Sequence, residues 1–171
     1  APPPVTTAQL ALEDVPPGLR SIAVSAFRAE DRERVASATV AADVAVVPLG
    51  LPAEVLLELR AVARTASAAD GGDGRPVFFG AALRTVPLSR DPVEIGLLLR
   101  PAGVLDIEVE GEGAPLVLPS SRGGLPRPVA SPGRTRLVVA EGTHRLEPTE
   151  DVEQKVLVGG RGLWSERARV T

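Results

Sequence analysis

Cysteine, methionine, tyrosine and asparagine are absent from this 171-residue chain. Without Cys there are no disulfides, no thiolate catalysis and no Cys-ligated metals. Aromatic residues make up only 2% and are Phe27, Phe78, Phe79 and Trp164. Carbohydrate and single-stranded nucleic-acid sites usually present aromatic platforms, so both lose weight. A net charge of -3 and a pI near 5.3 argue further against a phosphate-binding surface, and no nucleic-acid partner is expected. No run of about 18 apolar residues occurs, so no stretch reads as a membrane-spanning helix.

What is present is 44% hydrophobic, mostly Ala, Val and Leu, which suffices for a core. Arg outnumbers Lys 18 to 1, Lys155 being the only lysine. Ala, Gly, Pro and Arg are the residues of GC-rich codons, so the skew reads as genomic bias before function. The opening "APPPVTTAQLALEDVPPG" is Pro- and Thr-rich and reads as an extended tether over residues 1–18. Mature chains freed from a signal peptide often begin this way, which predicts an extracytoplasmic location in the periplasm, at the outer membrane or outside the cell. Any membrane attachment would then come from a lipid anchor preceding Ala1.

From Leu19 onward the dominant period is two. In "VLLELRAVAR", Val55, Leu57, Leu59, Ala61 and Ala63 fall on one side, and Glu58, Arg60 and Arg64 on the other. Val93, Ile95, Leu97 and Leu99 alternate in the same way, as do Leu105, Ile107 and Val109 against Asp106, Glu108 and Glu110. Such alternation marks strands of an antiparallel sheet with one wet face. Further strands are expected over 20–27, 34–41, 44–49, 76–88, 115–118, 135–140, 143–148 and 154–158. Gly- and Pro-containing turn signals separate them. Residues 51–69 also fit a helix beginning near Pro52, but the alternation of Glu58, Arg60 and Arg64 favours strand.

The fold class that follows is all-β, with antiparallel sandwiches, two in tandem. A boundary near Pro101 divides a domain over 19–100 from a smaller one over 101–171. The two halves align only loosely, so no duplication is read. The stretch 120–134, "SSRGGLPRPVASPGR", reads as one long loop rich in breakers.

The segments "LPAEVLLELRAVA", "GRPVFFGAA" and "RLVVAEGTHRLEP" carry a resemblance. Their strand, tight turn, strand pattern is similar to the transthyretin-like and carboxypeptidase-regulatory-like (Ig-type) sandwich modules of bacterial surface lipoproteins, over about residues 19–148. The regulatory-like pattern's usual Tyr is missing. The resemblance implies adhesion, scaffolding or assembly, and no catalytic residues or cofactors.

Several residues invite chemistry. Asp70 and Asp73 in "DGGDGRPVFFG" suggest a weak Ca²⁺ loop, but calcium wants about six to eight oxygens and no Glu follows at EF-hand spacing. A hairpin bend explains the glycines better. The acidic run 147–153 reads as a solvated loop, and the charged segment 29–35 as a turn. His144, the only histidine, shares a face with Leu146 and reads as structural, because no Gly-x-Ser-x-Gly elbow supplies a nucleophile. "GLWSERARV" places Trp164 beside Arg161 and Arg167, an interface-like composition, although the segment also suits a closing strand. Arg122 and Arg127, in the 120–134 loop, are further interface candidates.

The expectation is therefore a non-enzymatic structural or interaction module that docks other proteins, or copies of itself, through strand edges and loops. A carbohydrate- or Ca²⁺-binding module and a small carboxylate-dependent hydrolase are the alternatives from other classes.

Overall fold

The structure, a computed structural model, describes residues 4–15, 19–41, 43–65, 76–109, 116–119, 124–130, 133–148, 154–158 and 165–170. All regular structure among them is β, including the stretch from Leu56 that also fitted a helix. The first seven strands are β1 (Val5–Glu13), β2 (Leu19–Arg28), β3 (Arg34–Ala41), β4 (Val46–Pro52), β5 (Leu56–Thr65), β6 (Pro76–Thr85) and β7 (Val93–Leu98). The next seven are β8 (Arg100–Val109), β9 (Leu116–Leu118), β10 (Arg127–Val129), β11 (Gly133–Ala140), β12 (Gly142–Pro148), β13 (Gln154–Val158) and β14 (Ser165–Val170).

The lead expected to be a tether is instead β1, the middle strand of a three-stranded sheet in the order β4-β1-β7. Thr6, Ala8, Leu10 and Leu12 alternate inward along it and are all buried. Thr6 is the polar member. Its hydroxyl donates to the carbonyl of Pro87 at 2.9 Å and accepts from the Ser89 amide at 3.2 Å, so nothing polar is left unpaired. Strands β3-β2-β5-β6 form the facing layer. Ile22, Val24, Ala26, Leu57, Leu59, Ala61 and Ala63 on one layer meet Leu10, Val47, Leu49, Leu51, Ile95 and Leu97 on the other in one apolar core. This is a sandwich, and the period-two pattern of each strand is its cause.

The same arrangement recurs seven strands later. β11-β8-β14 corresponds to β4-β1-β7, and β10-β9-β12-β13 corresponds to β3-β2-β5-β6. Even the exceptions to antiparallel pairing correspond: β1 with β7, and β8 with β14, are the two parallel pairs among the described residues. Leu105, Ile107, Val109, Leu116, Leu118, Val129, Val139 and Leu146 form a second apolar core. The two arrangements join where β6 pairs with the start of β8, Phe78 opposite Pro101 and Phe79 opposite Arg100.

The stretch 120–134 is not one loop, because β10 lies within it and pairs with β9. Pro128, which has no N–H to give a ladder, is accommodated because β10 is an edge strand. Of the charged segment 29–35, residues 29–33 form the turn, and Arg34 and Val35 already belong to β3. Arg32 adopts φ 62°, and Arg28 bridges Asp31 at 2.7 Å and Glu33 at 3.1 Å.

Candidate functional site

Strand pleating sends Glu58 and Arg60 to the outer face of β5, as the alternation requires. Glu58 is nevertheless only 1% exposed. The segment from Leu125 to Arg127, just ahead of and within β10, covers it. The backbone N–H of Leu125 donates to Glu58 Oε2, and Arg60 Nε lies against Oε1 as an ion pair that lacks hydrogen-bond alignment. The reading of a wet outer face is thus corrected at Glu58. A carboxylate drawn out of water needs such partners, and here one comes from its own strand and one from the other half of the chain.

Two guanidinium–ring stacks flank the carboxylate. The Arg60 guanidinium carbon sits 4.6 Å from the Phe27 ring centre, and that of Arg127 sits 5.3 Å from the Phe79 ring centre. Arg127 also donates from Nη1 to the carbonyl of Val138. Burial, reinforced by Arg60 and opposed by Glu58, pushes the Arg127 guanidinium down to about 10. The guanidinium of Arg127, one of the interface candidates, thus makes two contacts within the chain.

Beside this joint lies a cleft of about 300 Å³, lined by residues of both halves. Its polar groups are Glu13 from the end of β1, Arg84 from β6, Arg100 and Arg127 from β8 and β10, and His144 from β12. Phe79 forms part of the wall. His144 is 6% exposed, with Leu146 beside it on the same buried face. Its Nε2 lies 2.8 Å from the Ala140 carbonyl oxygen. A carbonyl only accepts, so Nε2 carries the proton and Nδ1 is the other ring nitrogen.

A second buried carboxylate, Asp106 on β8, meets two arginines of β11. Arg136 grips it with two bonds, at 3.1 and 3.2 Å, and Arg134 reaches it at 3.4 Å. The Arg136 hydrogen bonds hold the Asp106 carboxyl below the usual range, against the cost of burial. In backbone register Arg167 of β14 stands opposite Asp106.

Asp70, Asp73, Arg122, Arg161 and Trp164 lie outside the described residues. Among the described residues no three His, Asp or Glu side chains converge as metal ligands. The sequence reading missed Glu58, Arg84 and Arg100 as neighbours of Arg127 and His144. The pair Phe78-Phe79, in a chain with three Phe, was the one local signal that the surface of β6 is covered.

No protein-family model and no curated protein sequence matches the chain. Solved structures do resemble it in shape. The TIE protein of Bacillus anthracis is 11% identical over 98% of this chain, at a TM-score of 0.36, and this chain spans 34% of that one. A fimbrial assembly protein from Parabacteroides distasonis is 10% identical over 95% of this chain and 90% of its own, at 0.41. The tip fimbrial protein Mfa3 from Porphyromonas gingivalis is 12% identical over 91% of this chain and 81% of its own, also at 0.41. Likeness at this level identifies no family.

Proposed function

We propose that the chain is a non-enzymatic structural and interaction module of a bacterial cell-envelope or secreted assembly, made of two transthyretin-like sandwiches divided between Leu99 and Arg100. The observation that carries this reading is the recurrence of one seven-strand arrangement, with its two copies fused by a buried joint. Separating the halves would break the bond from the Leu125 amide to the Glu58 carboxylate and the stack of Arg127 on Phe79. Such a joint makes the pair a stiff spacer. Edge strands such as β3, paired with β2 on one side, offer backbone groups to a partner strand of another protein. An extracytoplasmic location belongs to the same reading.

Nuclear spin relaxation on the labelled chain tests the spacer, with a single rotational correlation time expected for both halves. Separate correlation times would overturn it. Cross-linking in native extract tests the docking role, the expected product being a covalent adduct with a neighbouring envelope protein or a second copy. A monomer free of adducts would remove that part.

A further inference from the structure

The cleft between the halves has a charge that the chain as a whole lacks. The protein carries -3 overall, yet three guanidinium groups and one carboxylate, Glu13, line this hollow. Among the described residues none of the three arginines is in an ion pair. Arg84 gives Nη1 to its neighbour's carbonyl, Leu83, at 2.8 Å, and Arg127 gives Nη1 to Val138. Arg84 and Arg100 are exposed, whereas Arg127 is half-buried and stacked on Phe79. Glu58, the buried carboxylate that Arg127 feels, is shared with Arg60, so one carboxylate stands against two guanidinium groups there. Arg127 is the desolvated member and shares its counter-charge with Arg60, while Arg84 and Arg100 are exposed guanidinium groups beside it, so an anion in the cleft would be favoured.

We propose that this cleft binds a small organic oxyanion bearing at least two anionic oxygens, such as a polycarboxylate or a phosphorylated small molecule. Guanidinium forks match the paired oxygens of carboxylate and phosphate, and charge-assisted bonds of this type are the stronger class. Arg84 and Arg100 close on the ligand, and Arg127 supplies the fixed charge. His144 offers Nδ1 to a ligand hydroxyl. A volume of about 300 Å³ lies at the small end of ligand sites and suits a molecule the size of citrate or a hexose phosphate.

Isothermal titration of the full chain at low salt with citrate, inorganic phosphate, glucose 6-phosphate and uncharged glucose tests the assignment. A dissociation constant below about 1 mM is expected for citrate or for glucose 6-phosphate, and none for glucose. Whichever of the two binds more tightly identifies carboxylate or phosphate as the natural group. The double variant Arg84→Gln/Arg100→Gln, altered only at exposed side chains, should weaken binding at least about tenfold with an unchanged melting temperature. The matched variant Arg32→Gln/Arg90→Gln, away from the cleft, should bind as the parent does. No heat with any anion, or an equal loss in both double variants, would overturn the proposal.

Discussion

A methyl group on Gly80 would lie 2.3 Å from the carbonyl oxygen of Leu98, so β7 passes over β6 at backbone contact. Nothing larger than hydrogen fits there without moving one of the two sandwich layers. Gly80→Ala should therefore destabilise the protein by about 1–3 kcal/mol, the usual cost of overpacking. Gly96 is the control. A methyl there meets the flexible end of Glu13 at 2.9 Å, which can swing aside. Urea unfolding of the two variants checks the difference, and equal losses would contradict the close crossing.

The joint at Glu58 gives a second expectation. Glu58→Ala strands the Leu125 amide and leaves Arg60 and Arg127 facing each other without a counter-charge, at a cost of about 3–5 kcal/mol. Glu58→Gln keeps an acceptor for Leu125 and should cost less. Hydrogen exchange at the Leu125 amide, fast in the alanine variant and slow in the parent, ties the loss to this contact.

Acid should act through Asp106. Its folded-state pKa is depressed, chiefly by the Arg136 hydrogen bonds, so the pair's contribution is present above the unfolded carboxyl pKa of about 3.9. The contribution disappears as the pH falls through the lower, folded value. Arg136 is 69% exposed, so the effect is small and weakens with added salt. Asp106→Asn should flatten the stability profile below about pH 4 relative to the parent, as read by thermal melts across pH.

Removing residues 1–13 should unfold the first half rather than trim a tail. Burial of Leu10 and Leu12 alone contributes about 3–6 kcal/mol, and two ladders are lost with them. Backbone amide spectra of the truncated chain should collapse for residues of the first core. A well-dispersed spectrum would show β1 to be dispensable.

The two cores can be told apart by substitution. Leu59→Ala and Leu105→Ala each remove a fully buried side chain, at about 2–5 kcal/mol, one from each cluster. Each should raise hydrogen exchange mainly in its own half. Uniform loss of protection from either variant would make the division at Leu99 and Arg100 untenable.

The strands whose inner face is apolar and outer face polar were legible from sequence, because period two states both the element and its orientation. β13 matches its expected range of 154–158, and β3 matches 34–41. β1 was hidden by its flanking prolines, although Thr6, Ala8, Leu10 and Leu12 carry the same alternation. β10 was hidden because three residues with a central Pro carry no periodic signal. Glu58 could not be placed as buried from its neighbours. Its cover arrives from a segment 67 residues away. The recurrence at a seven-strand offset is a property of pairing, which two halves of differing length and sequence can share without alignment. The cleft depends on that same long-range meeting, so Arg84, Arg100, Arg127 and His144 carried no common signal along the chain.

The parallel pairs have a mechanical consequence. β1 and β7 open and close the first seven-strand arrangement, with Ala8–Glu13 alongside Val93–Leu98, and β8 and β14 do the same for the second. A pull on the two ends of either arrangement drags such strands past each other lengthwise. The ladder is then loaded in shear, its bonds sharing the force at once instead of unzipping in turn. Stretched from end to end, the molecule meets two such clamps in series.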